Sequence, residues 1–129
     1  MANRANDWLA QAERDYEHAL ISREHDQHEW SCFAAHQAAE KAVKALHLHH
    51  RQEAWGHVIG RLLSELPESV PVPADLVERA RALDNGYIPT RYPNGHPAGA
   101  PFEHYGSLQS EQAVEYAGQI LEFVRSSMA

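Results

Sequence analysis

The sequence predicts an all-α protein: an antiparallel, up-and-down helical bundle of about five helices, with an ordered proline-rich loop before the last helix. Three observations predict it. Apolar residues recur at steps of three and four in five separate segments, the period of one helix face. No segment alternates apolar and polar residues at the period of a half-buried strand. Finally, 129 residues are one domain's worth of chain, residues 1–129, long enough to bury a core without staples.

The first helix is expected from Asn6 to about Arg23, where Trp8, Ala12, Tyr16, Ala19 and Leu20 form the stripe and Asn3 or Asn6 is the cap. After the polar joint EHDQHE, the stretch from Trp30 to His49 contains no glycine or proline. It reads as the most buried helix, with alanines at 34, 35, 38, 39, 42 and 45 that let a neighbour approach closely. Glu40 and Lys44 stand one turn apart on it as an i,i+4 pair. A third helix, HVIGRLLSEL, stops before Pro67, and PESVPVP forms a stiff connector. Pro73 suits the first turn of a fourth helix, ADLVERARALD, with Asn85-Gly86 as its stop. The last helix begins at Ser107 or Ser110 and ends near Arg125, with Ala113, Ala117, Ile120, Leu121 and Val124 inward. Three helices are longer and two shorter.

A formal charge of −7 argues against a broad, sequence-independent grip on phosphate backbones, so any contact with nucleic acid is local. The single cysteine, Cys32, excludes an intrachain disulfide framework and a cysteine-based metal site. A cytoplasmic, reducing setting is the expectation. No apolar run reaches the length of a signal peptide or of a membrane helix, so no membrane contact is expected.

The segment DNGYIPTRYPNGHP, residues 84–97, opens a connection with prolines at 89, 93, 97 and 101. A loop of about twenty residues inside a compact domain is usually functional or disordered. Here Tyr87, Ile88, Tyr92, Phe102 and Tyr105 argue against disorder, and the prolines lower the entropy cost of one fixed shape. An ordered strap is expected. Arg91 and His96 on it are the candidate catalytic pair, since a guanidinium fits phosphate oxygens as a planar fork and an imidazole carries a proton near neutrality. The alternative is structural: Arg91 pairs with Asp84 or holds helix carbonyls, and His96 sits in solvent.

Four stretches, DWLAQAERDY, CFAAHQAAEKAVKAL, WGHVIGRLL and LDNGYIPTRYP, occur in this order along nearly the whole chain. The sequence resembles the HEPN domains of prokaryotes and higher eukaryotes. The resemblance implies an up-and-down helical bundle that pairs as a homodimer. It implies a metal-independent ribonuclease motif of Arg, four to six residues, then His, which Arg91 and His96 match. It also implies a minimal nucleotidyltransferase as partner in a toxin and antitoxin pair. The chain departs from the nuclease branches at Tyr92, where a small polar residue or histidine is common. It departs again at Ala98, where some relatives carry a modified tyrosine.

Two function classes follow. In the first, His96 is general base on a 2′-hydroxyl of single-stranded RNA and Arg91 stabilises charge on the phosphorane, with Tyr92, Asn94, Tyr105 and His57 as substrate contacts. In the second, the same strap binds a nucleotide or a nucleotidyltransferase partner without catalysis. No cofactor and no metal are expected: HLHH at 47–50 ends a helix, where imidazolium favours the dipole, and no Glu-x-x-His occurs. No Gly-rich phosphate loop is present either. His57 after Trp55-Gly56 reads first as a structural hydrogen-bonding group and second as part of the site. Glu40 and Lys44 read first as a packing pair. Tyr16, Trp30 and Phe33 read as core or dimer surface.

Overall fold

The computed structural model describes residues 3–129. Six α-helices follow one another: α1 (Ala5–Glu24), α2 (His28–His49), α3 (Ile59–Ser64), α4 (Ala74–Asp84), α5 (Pro101–His104) and α6 (Ser107–Met128). No strand occurs among the described residues. The amphipathic periods in the sequence thus fold as the bundle they predict.

Helix α2 is the centre, with α1 and α6 packed along it and α4 bridging α3 to α6. Its six alanines are buried against these neighbours, and Val43 and Leu46 are fully covered. Contacts at both ends fix the directions. Asn3 donates to the Leu48 carbonyl while Ser31 donates to the Ala19 carbonyl, so α1 and α2 are antiparallel. Arg125 reaches Glu13 and Arg23 reaches Ser107, so α6 is antiparallel to α1 as well. His28 at the start of α2 meets Ser110 near the start of α6, so these two run the same way; α3, α4 and the strap make the return. Gly118 on α6 permits one close approach, since a Cβ there would lie 2.8 Å from the Tyr16 hydroxyl.

Asn3 rather than Asn6 supplies the start of α1, accepting from the Ala5 N–H at 2.8 Å. The first two helices, α1 and α2, then end in the same way. Asp26 (φ 58°) and Arg51 (φ 60°) adopt the left-handed conformation. The N–H groups of Gln27 and Gln52 return to the carbonyls of Ser22 and His47, and those of Asp26 and Arg51 to Arg23 and Leu48. These paired bonds are the Schellman arrangement, which usually employs glycine.

Two boundaries, the kind of stop after α4 and the inside of the strap differ from expectation. α3 begins at Ile59 rather than His57, because Gly56 (φ 91°) bends the chain just before it. α6 continues past Arg125 to Met128, which still packs on the core. α4 ends at Asp84 without a left-handed glycine, and a run of turns follows it. The strap holds regular structure of its own: a 3₁₀ turn at Pro93–Gly95 and α5, one turn begun by Pro101. The count is therefore six helices, not five. The strap is tightest where Gly95 meets Pro89, since a Cβ on Gly95 would lie 2.9 Å from the Pro89 Cα.

A left-handed residue with a Cβ costs about 1 kcal/mol or more. Arg51→Gly is therefore expected to stabilise the fold by about 1 kcal/mol, part of which glycine's unfolded-state entropy offsets; chemical denaturation of the variant beside the parent measures the difference.

Candidate functional site

Asp84, the last residue of α4, joins three elements. Its Oδ1 accepts from the Ile59 N–H at 2.8 Å and its Oδ2 from the Gly60 N–H at 3.0 Å. These are unsatisfied donors at the start of α3, where negative charge is favoured. Oδ1 also accepts from His36 Nε2 at 3.1 Å. His36 is fully buried on α2, and the same Nε2–H reaches the His57 carbonyl at 3.1 Å while Nδ1 faces the Gln37 amide. A carboxylate and an imidazole thereby tie α2, the loop before α3, and α4 together.

Tyr87 lies over this junction. Its ring stacks on His57 (4.9 Å between centroids, 16° between planes) and leans on His36 at 5.0 Å. His57 Nδ1 is bonded to Glu40 Oε1 at 3.1 Å, and Glu40 Oε2 accepts from Lys44 Nζ at 3.1 Å. Glu40 is buried, so the Glu40–Lys44 pair is a packed one that also orients an imidazole.

Arg91 sits on the same ring. Its guanidinium carbon is 4.7 Å from the centroid of Tyr87, 4.3 Å from Phe33 and 5.0 Å from Tyr92, a cation–π seat with three walls. Nε and Nη2 both donate to the Tyr87 carbonyl, at 2.9 and 2.8 Å. The carbonyl that Arg91 holds lies in the turns after α4 rather than in a helix, and Asp84 is engaged elsewhere. Among the described residues Arg51, Arg81 and Arg91 are the Lys and Arg side chains with no carboxylate within 4.0 Å. Only Arg91 of the three is partly buried. Around it Trp30, Ile88 and Tyr92 are exposed, with Trp30 edge-on to Phe33 at 6.2 Å.

His96 belongs to a different set of contacts. Its Nε2 donates to the Pro89 carbonyl at 2.6 Å, and its ring stacks on His104 at 4.0 Å and 2°. His104 Nε2 donates to the Ala98 carbonyl at 2.6 Å. Tyr105 meets His96 edge-on at 5.9 Å and otherwise packs towards the core. With Cys32, Leu83, Gly86 and Tyr116 it lines a small cavity of about 140 Å³. Burial pushes the Cys32 thiol up to about 12, with the Glu29 carboxylate adding to it, and raises Tyr105 for the same first reason. Asn94 is exposed in the 3₁₀ turn.

Arg91, Tyr92 and His57 are thus gathered around Tyr87 and Phe33, whereas His96 and Tyr105 share neighbours with each other and Asn94 stands apart. Asp84, His36 and Tyr87 carry the junction and were not singled out as site residues from the sequence. A signal for His36 was present: it is the one imidazole inside the buried, alanine-rich arc AAHQAAE. A larger open cleft of about 660 Å³ adjoins the junction, lined among others by Trp55, His57, Val58 and Arg61. Among the described residues no three of His, Cys, Asp and Glu converge as metal ligands. None of the helices is long and apolar enough to cross a membrane.

The family model of the HEPN domain matches residues 5–127. The chain belongs to the HEPN family. It is 53% identical to TT1696 from Thermus thermophilus over 98% of this chain and 99% of that one, with a TM-score of 0.96. ST0689, an archaeal HEPN homologue, is 37% identical over 99% and 100% of the two chains, with a TM-score of 0.84. A HEPN domain protein from Thermotoga maritima, TM0613, is 33% identical over 93% and 95%, with a TM-score of 0.76. No curated protein matches the chain. As a HEPN-domain protein it carries the family's helical fold, with the strap between α4 and α6.

Removing the junction carboxylate leaves two helix N–H groups without an acceptor and the buried imidazole with the His57 carbonyl alone. Asp84→Ala is expected to cost about 2–4 kcal/mol in denaturant unfolding, and Asp84→Asn less. Cys32 has a folded-state pKa above its unfolded value, so its share of stability is complete below pH 9.0 and is lost as pH rises towards about 12. Native protein at pH 8 is expected to resist alkylation at Cys32 that the unfolded chain undergoes rapidly, as mass spectrometry of iodoacetamide-treated samples measures.

Proposed function

We propose that this HEPN-domain protein is a non-catalytic binding module for a nucleotide or single-stranded RNA, with Arg91 as its phosphate-binding group. The observation that carries this reading is a partly buried guanidinium without a carboxylate partner, laid against Phe33, Tyr87 and Tyr92 in a chain of net charge −7. Burying a cation without a counter-ion is costly, and the aromatic faces and the Tyr87 carbonyl offset that cost only in part. A phosphate completes the pairing. Exposed Tyr92 beside it offers a face on which an unpaired base stacks. The binding is local, in keeping with an acidic surface. In this reading the chain acts as a homodimer whose contact covers Trp30 and Ile88, and a minimal nucleotidyltransferase is the protein partner that the family resemblance supplies.

The second reading is a metal-independent, toxin-type ribonuclease. Its support is the pairing of Arg91 with His96 on one strap, both folded onto carbonyls of the same turn, Tyr87 and Pro89. In that reaction His96 takes the proton of a 2′-hydroxyl, the oxygen attacks the adjacent phosphorus, and the 5′-oxygen departs with the proton returned by the imidazolium. The separate surroundings of the two side chains weigh towards binding. Asn94 and Tyr105 serve this second reading as contacts to the leaving nucleotide.

Arg91→Ala is expected to weaken binding of a fluorescein-labelled single-stranded RNA about 10- to 100-fold, the value of a charge-assisted phosphate contact. Anisotropy titration at fixed salt measures it, and parent-like affinity in the variant would remove Arg91 from the site. The same RNA incubated with parent and with His96→Ala in chelator decides between the readings: cleavage by the parent that the variant loses establishes the ribonuclease.

A further inference from the structure

Histidine orientation separates one imidazole from four others. His36, His47, His96 and His104 each turn Nε2 onto a backbone carbonyl, those of His57, Leu62, Pro89 and Ala98. His57 is arranged the other way. Its Nδ1 is held by the carboxylate of Glu40, which is itself buried and fixed by Lys44. Nδ1 therefore carries the proton, and Nε2 presents a lone pair. Among the described residues that nitrogen has no hydrogen-bond partner. The side chain is 55% exposed on the wall of the 660 Å³ cleft, with Trp55 on the same wall.

The Tyr87 ring connects this nitrogen to the cation. His57 and Arg91 rest against the same ring, 4.9 and 4.7 Å from its centre, which keeps the two side chains within the span of a short single strand. Their chemistry is complementary. Arg91 only donates and suits a phosphate oxygen, whereas His57 Nε2 accepts and needs a hydroxyl or amine. We infer that His57, oriented by Glu40, is the specificity-determining imidazole of the Arg91 site, and that its Nε2 accepts the ribose 2′-hydroxyl of the ligand. The inference rests on the Arg91 reading above and adds to it a preference for ribose over deoxyribose, which the 2′-hydroxyl alone can convey. It assigns to His57 the place beside Arg91 that motif spacing gives to His96.

The test uses the full chain and two labelled probes, the oligonucleotides rU12 and dU12, which differ only in the 2′-hydroxyls. The parent is expected to bind rU12 about five- to tenfold more tightly, the worth of one hydrogen bond. His57→Ala is expected to bring that ratio close to one by weakening rU12 alone, while Arg91→Ala weakens both probes. Imidazole ¹⁵N spectra of the parent give a readout independent of any variant's folding: His57 in the Nδ1–H form, with its Nε2 signal displaced by rU12 and not by dU12. Equal binding of the two probes by the parent, an unchanged ratio in His57→Ala, or an unmoved Nε2 signal overturns the inference. If Arg91→Ala binds both probes as the parent does, the Arg91 reading itself fails, and that outcome is distinct from the loss of ratio that reports on His57.

Discussion

The carboxylate of Asp84 is the constraint on which the upper half of the molecule depends. Helix α3 is only six residues long, well below the length at which a helix persists by itself. Two of its first N–H groups are satisfied by a side chain from the end of another helix, whose Oδ1 also accepts a hydrogen bond from a buried imidazole on α2. Removing any of the three leaves a polar group stranded in the interior, so they form one cooperative unit. Tyr87 follows Asp84 by three residues and inherits its position, and Arg91 clamps the Tyr87 carbonyl in turn. The order of dependence runs from a helix terminus to an aromatic ring to a cation.

Much of this fold could be read from periodicity. Helices α1, α2, α4 and α6 were legible because long stripes at 3.6-residue spacing leave few alternatives, and Trp30 to His49 fell within two residues of the observed α2. What escaped was local conformation without a residue signature. Asp26 and Arg51 end their helices in the geometry usually given to glycine, and nothing in an aspartate or an arginine announces it. The single turn of α5 and the 3₁₀ turn inside the strap are too short to carry a period. α3 starts two residues later than predicted, after the bend at Gly56, and its cap arrives from Asp84, 25 positions away from Ile59, a partner that spacing cannot reveal.

The candidate site was legible in part for the same reason. Arg91 stood out as an isolated cation in an aromatic loop, and WGH brought His57 into view. Motif spacing suggested that His96 would share its surroundings, yet the chain turns back at Gly95 and lays His96 against His104. Five positions along a turning loop do not fix a direction, whereas four positions along a helix do. His36, Asp84 and Tyr87 required the tertiary fold, since each lies on a separate element or turn.

Helix α2 presents His36, Glu40 and Lys44 at successive i,i+4 positions, so a rigid rod with a fixed pitch spaces the junction, the imidazole clamp and its counter-charge. One inserted residue between them would rotate everything beyond it by about 100° and turn Glu40 away from His57. The connector at 67–73 carries no such phase. Descendants of this sequence are therefore free to change length in that connector, while the stretch from His36 to Lys44 has to drift by substitution alone.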